Sequence, residues 1–348
     1  MKTKSTHVLI TGAGGEQAIL FWKALRQSKM ALKIIACDCS HMSAGLYRTE
    51  KSYTVPPAGS SDYVQKIIDI VKKENVHIIM TGNMAEMEVL SKQAASIERE
   101  TGAYVVAPPP KALDIAKDKW RLAVFLKEYG FDHPKSAIPE EKDDLENFLK
   151  EVPLPYVVKD RFGAGSKNLS IVREKENLAH ALAKIKHPVL QEYLFPDDEE
   201  YTVGCFCDSD SNPVGSIAMK RRLGHGLTHK AQVVDDPRIS QYCEKVARAI
   251  GLVGPSNLQL RLTDRGPVIF EINPRFSSTE SARAYYNFNM PEMCIRHFVL
   301  NEPLSRPETT TGYFFRVFDD VFVASEDVEN MAQTGESVTL SGERVDNF

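Results

Sequence analysis

The 348-residue chain is 43% hydrophobic and 26% charged, a balance that supports two or three packed domains. Its net charge of -4 and pI near 6.2 exclude a global pull toward nucleic acid or anionic membrane, so any basic site has to be local. No apolar run approaches ~20 residues, so neither a membrane span nor a signal-peptide core is expected, and a cytoplasmic protein is the default reading.

Strands are predicted over 8–11, 33–37, 53–56, 76–81 and 104–107, and helices over 17–28, 61–74 and 84–101. This alternation implies a mostly parallel sheet covered by helices. Pro108, Pro109 and Pro110 end the unit, because consecutive prolines donate to neither helix nor sheet. An α/β domain is therefore expected over 1–110. Helices over 111–116, 119–129, 141–150 and 176–184, with strands over 156–160, 169–172 and 189–193, make a smaller lobe over 111–193. Strands over 201–207, 214–220, 232–234, 258–262 and 268–272, with a helix over 240–250, make a larger one over 194–324. The polar segment 325–348 reads as a tail, ordered in part. The cysteine pairs Cys37/Cys39 and Cys205/Cys207 each have a one-residue gap, which places both thiols on one strand face and does not match zinc spacing. They are read as idle thiols, and no metal is assigned to them.

The chemistry concentrates in the third unit. Asn257-Leu258-Gln259-Leu260-Arg261 and Val268-Ile269-Phe270-Glu271-Ile272-Asn273-Pro274-Arg275 read as neighbouring strands joined by a turn over 263–266. Strand alternation then turns Gln259, Glu271 and Asn273 to one face, with Arg275 just past the end. Oxygen ligands beside a cation suit Mg²⁺, which takes few protein groups and completes its shell with water and phosphates. Upstream, Lys159, Arg161, Gly163, Gly165 and Ser166 place cations and a glycine turn at a strand end, where backbone N–H groups approach phosphate oxygens closely. Alone, such a turn is equally a plain hairpin. Gln191, Glu192 and Leu194 run into the acidic stretch 197–200, where Glu200 offers a carboxylate to ribose hydroxyls; as structure alone the stretch is a solvated loop.

The order of Asp118-Lys119 at a helix start, Lys159 with the 163–166 turn, Gln191-Glu192 with Glu200, and Gln259 with Glu271-x-Asn273-x-Arg275 resembles the ATP-grasp superfamily. It looks most like one synthetase half of the carbamoyl-phosphate synthase large subunit, over roughly residues 8–300. The resemblance implies an N-terminal parallel-sheet domain followed by a two-lobed α+β ATP-grasp fold. It further implies that Lys119, Lys159 and Arg161 contact ATP phosphates, that Gly163, Gly165 and Ser166 close over them, and that Gln191, Glu192 and Leu194 meet adenine. Glu200 would hold the ribose. Gln259, Glu271 and Asn273 would bind Mg²⁺, with Mn²⁺ as a substitute, and Arg275 and Asn273 would serve the phosphoryl transfer. Such enzymes activate a carboxylate as an acyl phosphate and couple it to an amine, releasing ADP and phosphate.

The segment 219–230 departs from that enzyme, which favours a stand-alone carboxylate–amine ligase over a bicarbonate or carbamate kinase. Read as a loop, it gathers Lys220, Arg221, Arg222, His225, His229 and Lys230, and Arg221 or Arg222 would grip a substrate carboxylate through a bidentate fork. A solvated loop balancing the acidic run is the alternative. Arg283 and Tyr285 are weaker substrate candidates, with a helix surface as their ordinary explanation. Gly12-Ala13-Gly14-Gly15-Glu16-Gln17 after a strand, with Asp38 ending the next, also leaves open an NAD-dependent oxidoreductase, although Gln17 replaces the third glycine of that fingerprint. A nucleotide-binding protein without turnover is a third alternative. Expected partners are small carboxylate and amine substrates, without nucleic acid or membrane, and with a homodimer left open.

Overall fold

The structure, a computed structural model, describes residues 5–163, 168–317 and 320–337. In the N-terminal domain, strands β1 (Thr6–Thr11), β2 (Leu32–Asp38), β3 (Lys51–Thr54), β4 (Ile78–Thr81) and β5 (Tyr104–Val106) form a parallel sheet in the order β3-β2-β1-β4-β5. Helices α1 (Glu16–Arg26), α2 (Tyr63–Glu74) and α3 (Met84–Thr101) link them. Val8, Leu9 and Ile10 are all buried, as expected of a central parallel strand covered on both faces. The chain reverses direction across the sheet between β1 and β4, so the turn after β1 opens onto a crevice where α/β sheets bind ligands.

Helices α4 (Pro110–Ala116) and α5 (Lys119–Glu128) begin the next segment. By packing they depart from the expected boundary at 111, because Ala112, Ala116, Leu122 and Leu126 share a core with Val203, Val246, Leu258 and Ile269 of the larger lobe. The smaller lobe comprises β6 (Ser136–Ala137), α6 (Lys142–Glu151), β7 (Tyr156–Asp160), β8 (Leu169–Val172), α7 (Leu178–Ala183) and β9 (Pro188–Glu192). Its antiparallel sheet, β6-β9-β7-β8, rests on a separate core of Phe148, Tyr156, Val158, Val172 and Leu190.

The larger lobe contains β10 (Glu200–Cys207), β11 (Pro213–Gly224), β12 (Leu227–Val234), α8 (Pro237–Ile250), β13 (Gly254–Thr263), β14 (Gly266–Asn273), α9 (Glu280–Tyr285), α10 (Met290–Cys294) and β15 (Gly312–Phe315). Its sheet runs β14-β13-β10-β11-β12-β15 and is antiparallel throughout. The segment expected as a basic loop is instead the end of a hairpin. His225 and Gly226 both adopt positive φ, 52° and 81°, and form a two-residue turn whose twist matches the flanking strands.

The C-terminal segment was expected to be ordered in part, and residues 325–337 are described. It forms α11 (Ser325–Thr334), whose Met331 is buried in a core shared with Val8, Phe21, Phe206 and Phe276, and the Thr54 N–H donates to the Gly335 carbonyl. The same core joins the N-terminal domain to the larger lobe, with the Phe21 and Phe276 rings 4.8 Å apart. The cleft between them therefore has two firmly seated walls.

Candidate active site

The β13–β14 pairing sets Gln259 opposite Glu271 and Asn257 opposite Asn273. Gln259 Nε2 donates to Glu271 Oε1 at 3.3 Å and Asn273 Nδ2 donates to the same oxygen at 2.8 Å, which confirms that these side chains share a face. Asp118 caps α5 by accepting the Trp120 N–H, and this fixes Lys119 at the first helical position. Lys119 Nζ then lies 4.0 Å from Glu271 Oε2 and donates to the Gly163 carbonyl at 2.5 Å. Lys159, near the end of β7, is 8% exposed and donates to the Phe270 carbonyl at 3.4 Å.

Charge follows from this crowding. Burial alone would raise the Glu271 carboxyl, but Lys119, Lys159, Asn273 and Arg221 outweigh it and hold the group below the usual carboxylate range. Burial, with the neighbouring charge of Lys119, brings the Lys159 ammonium down to about 7, while Glu271 and Glu200 pull the other way. Arg275 is buried beside them; its Nη2 donates to Asn273 Oδ1 at 3.1 Å and its Nη1 to the Phe276 carbonyl at 2.8 Å, while its Nε has no partner among the described residues.

Gln259, Glu271, Asn273 and Arg275 line one cavity of about 390 Å³ with Thr202, Asn257, Arg221, His225, Ser277, Ser278 and, from the N-terminal domain, Glu16 and Gln17. Arg221 reaches it from β11 and not from a loop. Its Nη2 donates to Glu200 Oε1 at 2.8 Å and to Gln259 Oε1 at 2.7 Å, so in this arrangement Nε and Nη2 brace the acidic and amide groups. Arg222, one strand position on, is exposed.

Other expected residues are placed differently. Arg161 makes a bidentate ion pair with Asp118, at 3.0 and 2.6 Å, and this closes the strand end onto the cap of α5. Gly163 is described; Gly165 and Ser166 lie outside the described residues. Gln191 is buried and donates to Ser136 Oγ at 2.8 Å, and Glu192 accepts from Arg265. Glu200 and the Leu194 carbonyl both accept from Arg261, each near 2.7 Å. Arg261 was not singled out from the sequence, yet its place in the strand pattern two residues beyond Gln259 puts it on the same face.

Arg283 corrects the expectation of a helix surface. It is fully buried, paired with Glu280 at 3.0 Å, and donates to Asn257 Oδ1 at 2.5 Å and Thr202 Oγ1 at 3.2 Å, two groups on the cavity wall. Tyr285 is 73% exposed.

At the opposite wall, the glycine turn after β1 is closed on itself. Gly14 donates its N–H to Asp38 Oδ2 at 2.8 Å, and a Cβ at Gly12 would stand 2.7 Å from a Glu86 carboxylate oxygen. A dinucleotide site needs those N–H groups for pyrophosphate and that acid for ribose, so the geometry disfavours the oxidoreductase alternative.

The donor set suits magnesium–nucleotide. Among the described residues no three His, Cys, Asp or Glu side chains form a metal cluster. A cation at Glu271 would take that carboxylate, the amide oxygens of Gln259 and Asn273 after half a turn of either amide, and phosphate oxygens, which is how Mg²⁺ is commonly held.

Comparison with known proteins bears on the fold. The model of the family described as ATP-grasp in the biosynthetic pathway with Ter operon matches residues 184–321, and that of the PylC-like N-terminal domain matches residues 8–106. The carbamoyl phosphate synthase large chain of Helicobacter pylori is 23% identical over 306 residues, covering 79% of this chain and 27% of its own length. The chain thus spans about a quarter of that relative. Among solved structures, the biotin carboxylase domain of the Hydrogenobacter thermophilus 2-oxoglutarate carboxylase, in complex with MgADP and bicarbonate, superposes with a TM-score of 0.68 at 16% identity, covering 88% of this chain and 73% of the other. An L-amino acid ligase from Bacillus licheniformis does so with a TM-score of 0.66 at 16% identity, covering 96% and 86%. At these identities the structural matches establish the fold.

Proposed function

The chain carries an ATP-grasp domain and a PylC-like N-terminal domain, and from that premise we propose that it is an ATP- and Mg²⁺-dependent carboxylate–amine ligase. The observation that carries the reading is the single cavity in which Gln259, Glu271, Asn273 and Arg275 meet, with Lys119 and Lys159 against Glu271. Phosphoryl transfer asks a protein mainly for positioning and charge neutralisation, and this arrangement supplies both.

In this reading Lys119 and Lys159 hold ATP phosphates, and Gln259, Glu271 and Asn273 hold the metal, which neutralises charge on the phosphates when bound. Arg275, whose Nε lacks a partner among the described residues, steadies the phosphoryl group passing to the substrate carboxylate. The amine then attacks the acyl carbon, the C–N bond forms, and phosphate leaves. Arg221 keeps Glu200 oriented, and Arg275 and the Ser278 hydroxyl meet the substrate carboxylate.

The test is ADP release with pairs drawn from amino acids and sugar acids, with hydroxylamine replacing the amine to trap an acyl phosphate as a hydroxamate. AMP and pyrophosphate as products would overturn the mechanism. The match to carbamoyl phosphate synthase supports a second reading, phosphorylation of bicarbonate or carbamate, which ADP release with bicarbonate alone would reveal.

A further inference from the structure

One polar group on the inner wall of the cavity has an orientation that cannot change. Asn257 is 3% exposed and sits on β13 opposite Asn273, two residues before Gln259. Its Oδ1 accepts from Arg283 Nη2 at 2.5 Å and from Thr202 Oγ1 at 2.7 Å. A guanidinium has only donors, so the atom that faces it must be the amide oxygen; a flipped amide would set N–H against N–H in a buried place. Arg283 is in turn fixed by Glu280 and Ser277. It lies across Gly204, the residue paired with Asn257 on β10, where a Cβ would stand 2.8 Å from the guanidinium.

The amide nitrogen is thereby aimed. With the oxygen held, Asn257 Nδ2 meets no acceptor among the described residues, and it opens onto the cavity that Asn257 lines with Asn273, Arg275 and Ser278. Gln259 and Asn273 differ, because both donate from their amide nitrogens to Glu271 and a half-turn offers their oxygens to a cation. Asn257 cannot join that set while its oxygen is committed to Arg283. Two residues along a strand span about 7 Å, so an atom held at Asn257 lies within a small substrate's length of the Gln259–Glu271 pair.

We propose that Asn257 Nδ2 is the oxyanion donor of the amide-forming step. The proposal rests on the ligase reading above. The carboxylate oxygen that takes the phosphoryl group meets Arg275, and the other oxygen accepts from Asn257. When the amine nitrogen attacks the acyl carbon, the C–N bond forms and the carbonyl π pair moves onto that second oxygen. The pair returns as the C–O bond to phosphate breaks; phosphate leaves with the bonding electrons, and the nitrogen gives its proton to the phosphate. A donor fixed before the reaction starts needs no reorganisation as the charge appears. Phosphoryl transfer, the first step, builds no charge on this oxygen, so Asn257 acts on the second step.

The experiment separates the two steps in single turnovers, with enzyme in excess over ATP, for wild type, Asn257→Asp and Asn257→Ala. The substrates are the amino acid or sugar acid and the amine that together release ADP fastest from the wild type. ADP formation reports phosphoryl transfer, and amide formation reports the attack. Both variants should slow amide formation about 10²- to 10³-fold, the effect of one oxyanion donor, and leave ADP formation within about threefold of wild type. Aspartate has the shape of asparagine and accepts from Arg283 and Thr202 as asparagine does, but it lacks the donor. If Asn257 served only to receive Arg283, Asn257→Asp would form amide at the wild-type rate, and that result overturns the proposal. Equal slowing of both steps in Asn257→Ala also overturns it, since Asn257 would then act at the phosphates. ADP formation by the wild type tests the ligase reading separately; if no pair releases ADP, that reading fails and takes this proposal with it.

Discussion

On the β13–β14 side of the cleft Lys119, Lys159, Arg221 and Arg275 surround one carboxylate in the cavity, Glu271, whereas on the α1 side Glu16, Asp38 and Glu86 gather around a glycine turn. The two walls are satisfied in different ways. Asp38 and Glu86 are held by backbone N–H groups and hydroxyls, which need no further ligand. The cations outnumber the acids that face them, and desolvation disfavours the charged form of both Lys159 and Arg275. Such a wall is prepared for incoming negative charge, and its cost in the free protein is offset when phosphates arrive.

The sharpest way to break this comparison is to remove the carboxylate in the midst of the cations. Glu271→Gln should lower turnover by about 10³- to 10⁴-fold, roughly 4–5.5 kcal/mol, because it deletes the charged metal ligand. ADP should still bind, since the change leaves the cationic wall more positive. ADP release at the wild-type rate from a folded variant would show that Glu271 is not the metal carboxylate.

Legibility in the sequence follows the same division. The β13–β14 hairpin was readable because alternation brings Gln259, Glu271 and Asn273 to one face within a few residues. The bounds of α3, β7 and β8 followed from local periodicity and match the structure. Arg221 was misplaced because Arg222, Leu223, Gly224, His225 and Gly226 break the alternation, although the strand pairing continues with a bulge at 222/223. The Arg161–Asp118 pair spans 43 residues and the Arg283–Asn257 bond 26, and no local pattern announces such contacts. Likewise α4 and α5 look like part of the small lobe in sequence order, and only packing shows that they cover the large-lobe core.

A second prediction concerns what lies beneath the cationic wall. Arg283 holds Asn257 and Thr202, and its loss would leave Glu280 buried without its cation. Arg283→Met should destabilise the protein by about 3 kcal/mol, within the range for breaking a buried pair. Burial already raises the Glu280 carboxyl above its usual value, despite Arg283 and Ser277. A raised folded value means that this group's contribution is present below the unfolded value near 4.5 and is lost as pH rises through the folded one. The defect should therefore be larger at pH 8 than at pH 5 in urea unfolding, and Arg283→Met with Glu280→Gln should recover part of it. Equal losses at both pH values would show that packing alone accounts for the effect.

The smallest effect tests the readiness of the wall itself. Lys159 is brought down to about 7 from 10.5, by burial first and by Lys119 second, so its charged form is penalised in the fold. For a lysine with a depressed folded value the penalty is fully present below pH 7 and is relieved as pH rises from 7 toward 10.5. In the free protein above pH 7 this lysine is mostly neutral, and phosphates bound beside it favour the ammonium. ATP binding should therefore take up a proton above pH 7 and none near pH 6. Titration calorimetry at pH 8 in two buffers of different ionisation enthalpy should give apparent enthalpies that differ by close to one proton's worth, and the ATP Kd should weaken by up to about tenfold per pH unit, 1.4 kcal/mol. Lys159→Met should abolish the buffer dependence along with much of the affinity. Enthalpies that agree between buffers at pH 8 in the wild type would mean that Lys159 is already charged before the nucleotide arrives, and the contrast between the partnered acids Asp38 and Glu86 and a waiting cationic wall would lose its main support.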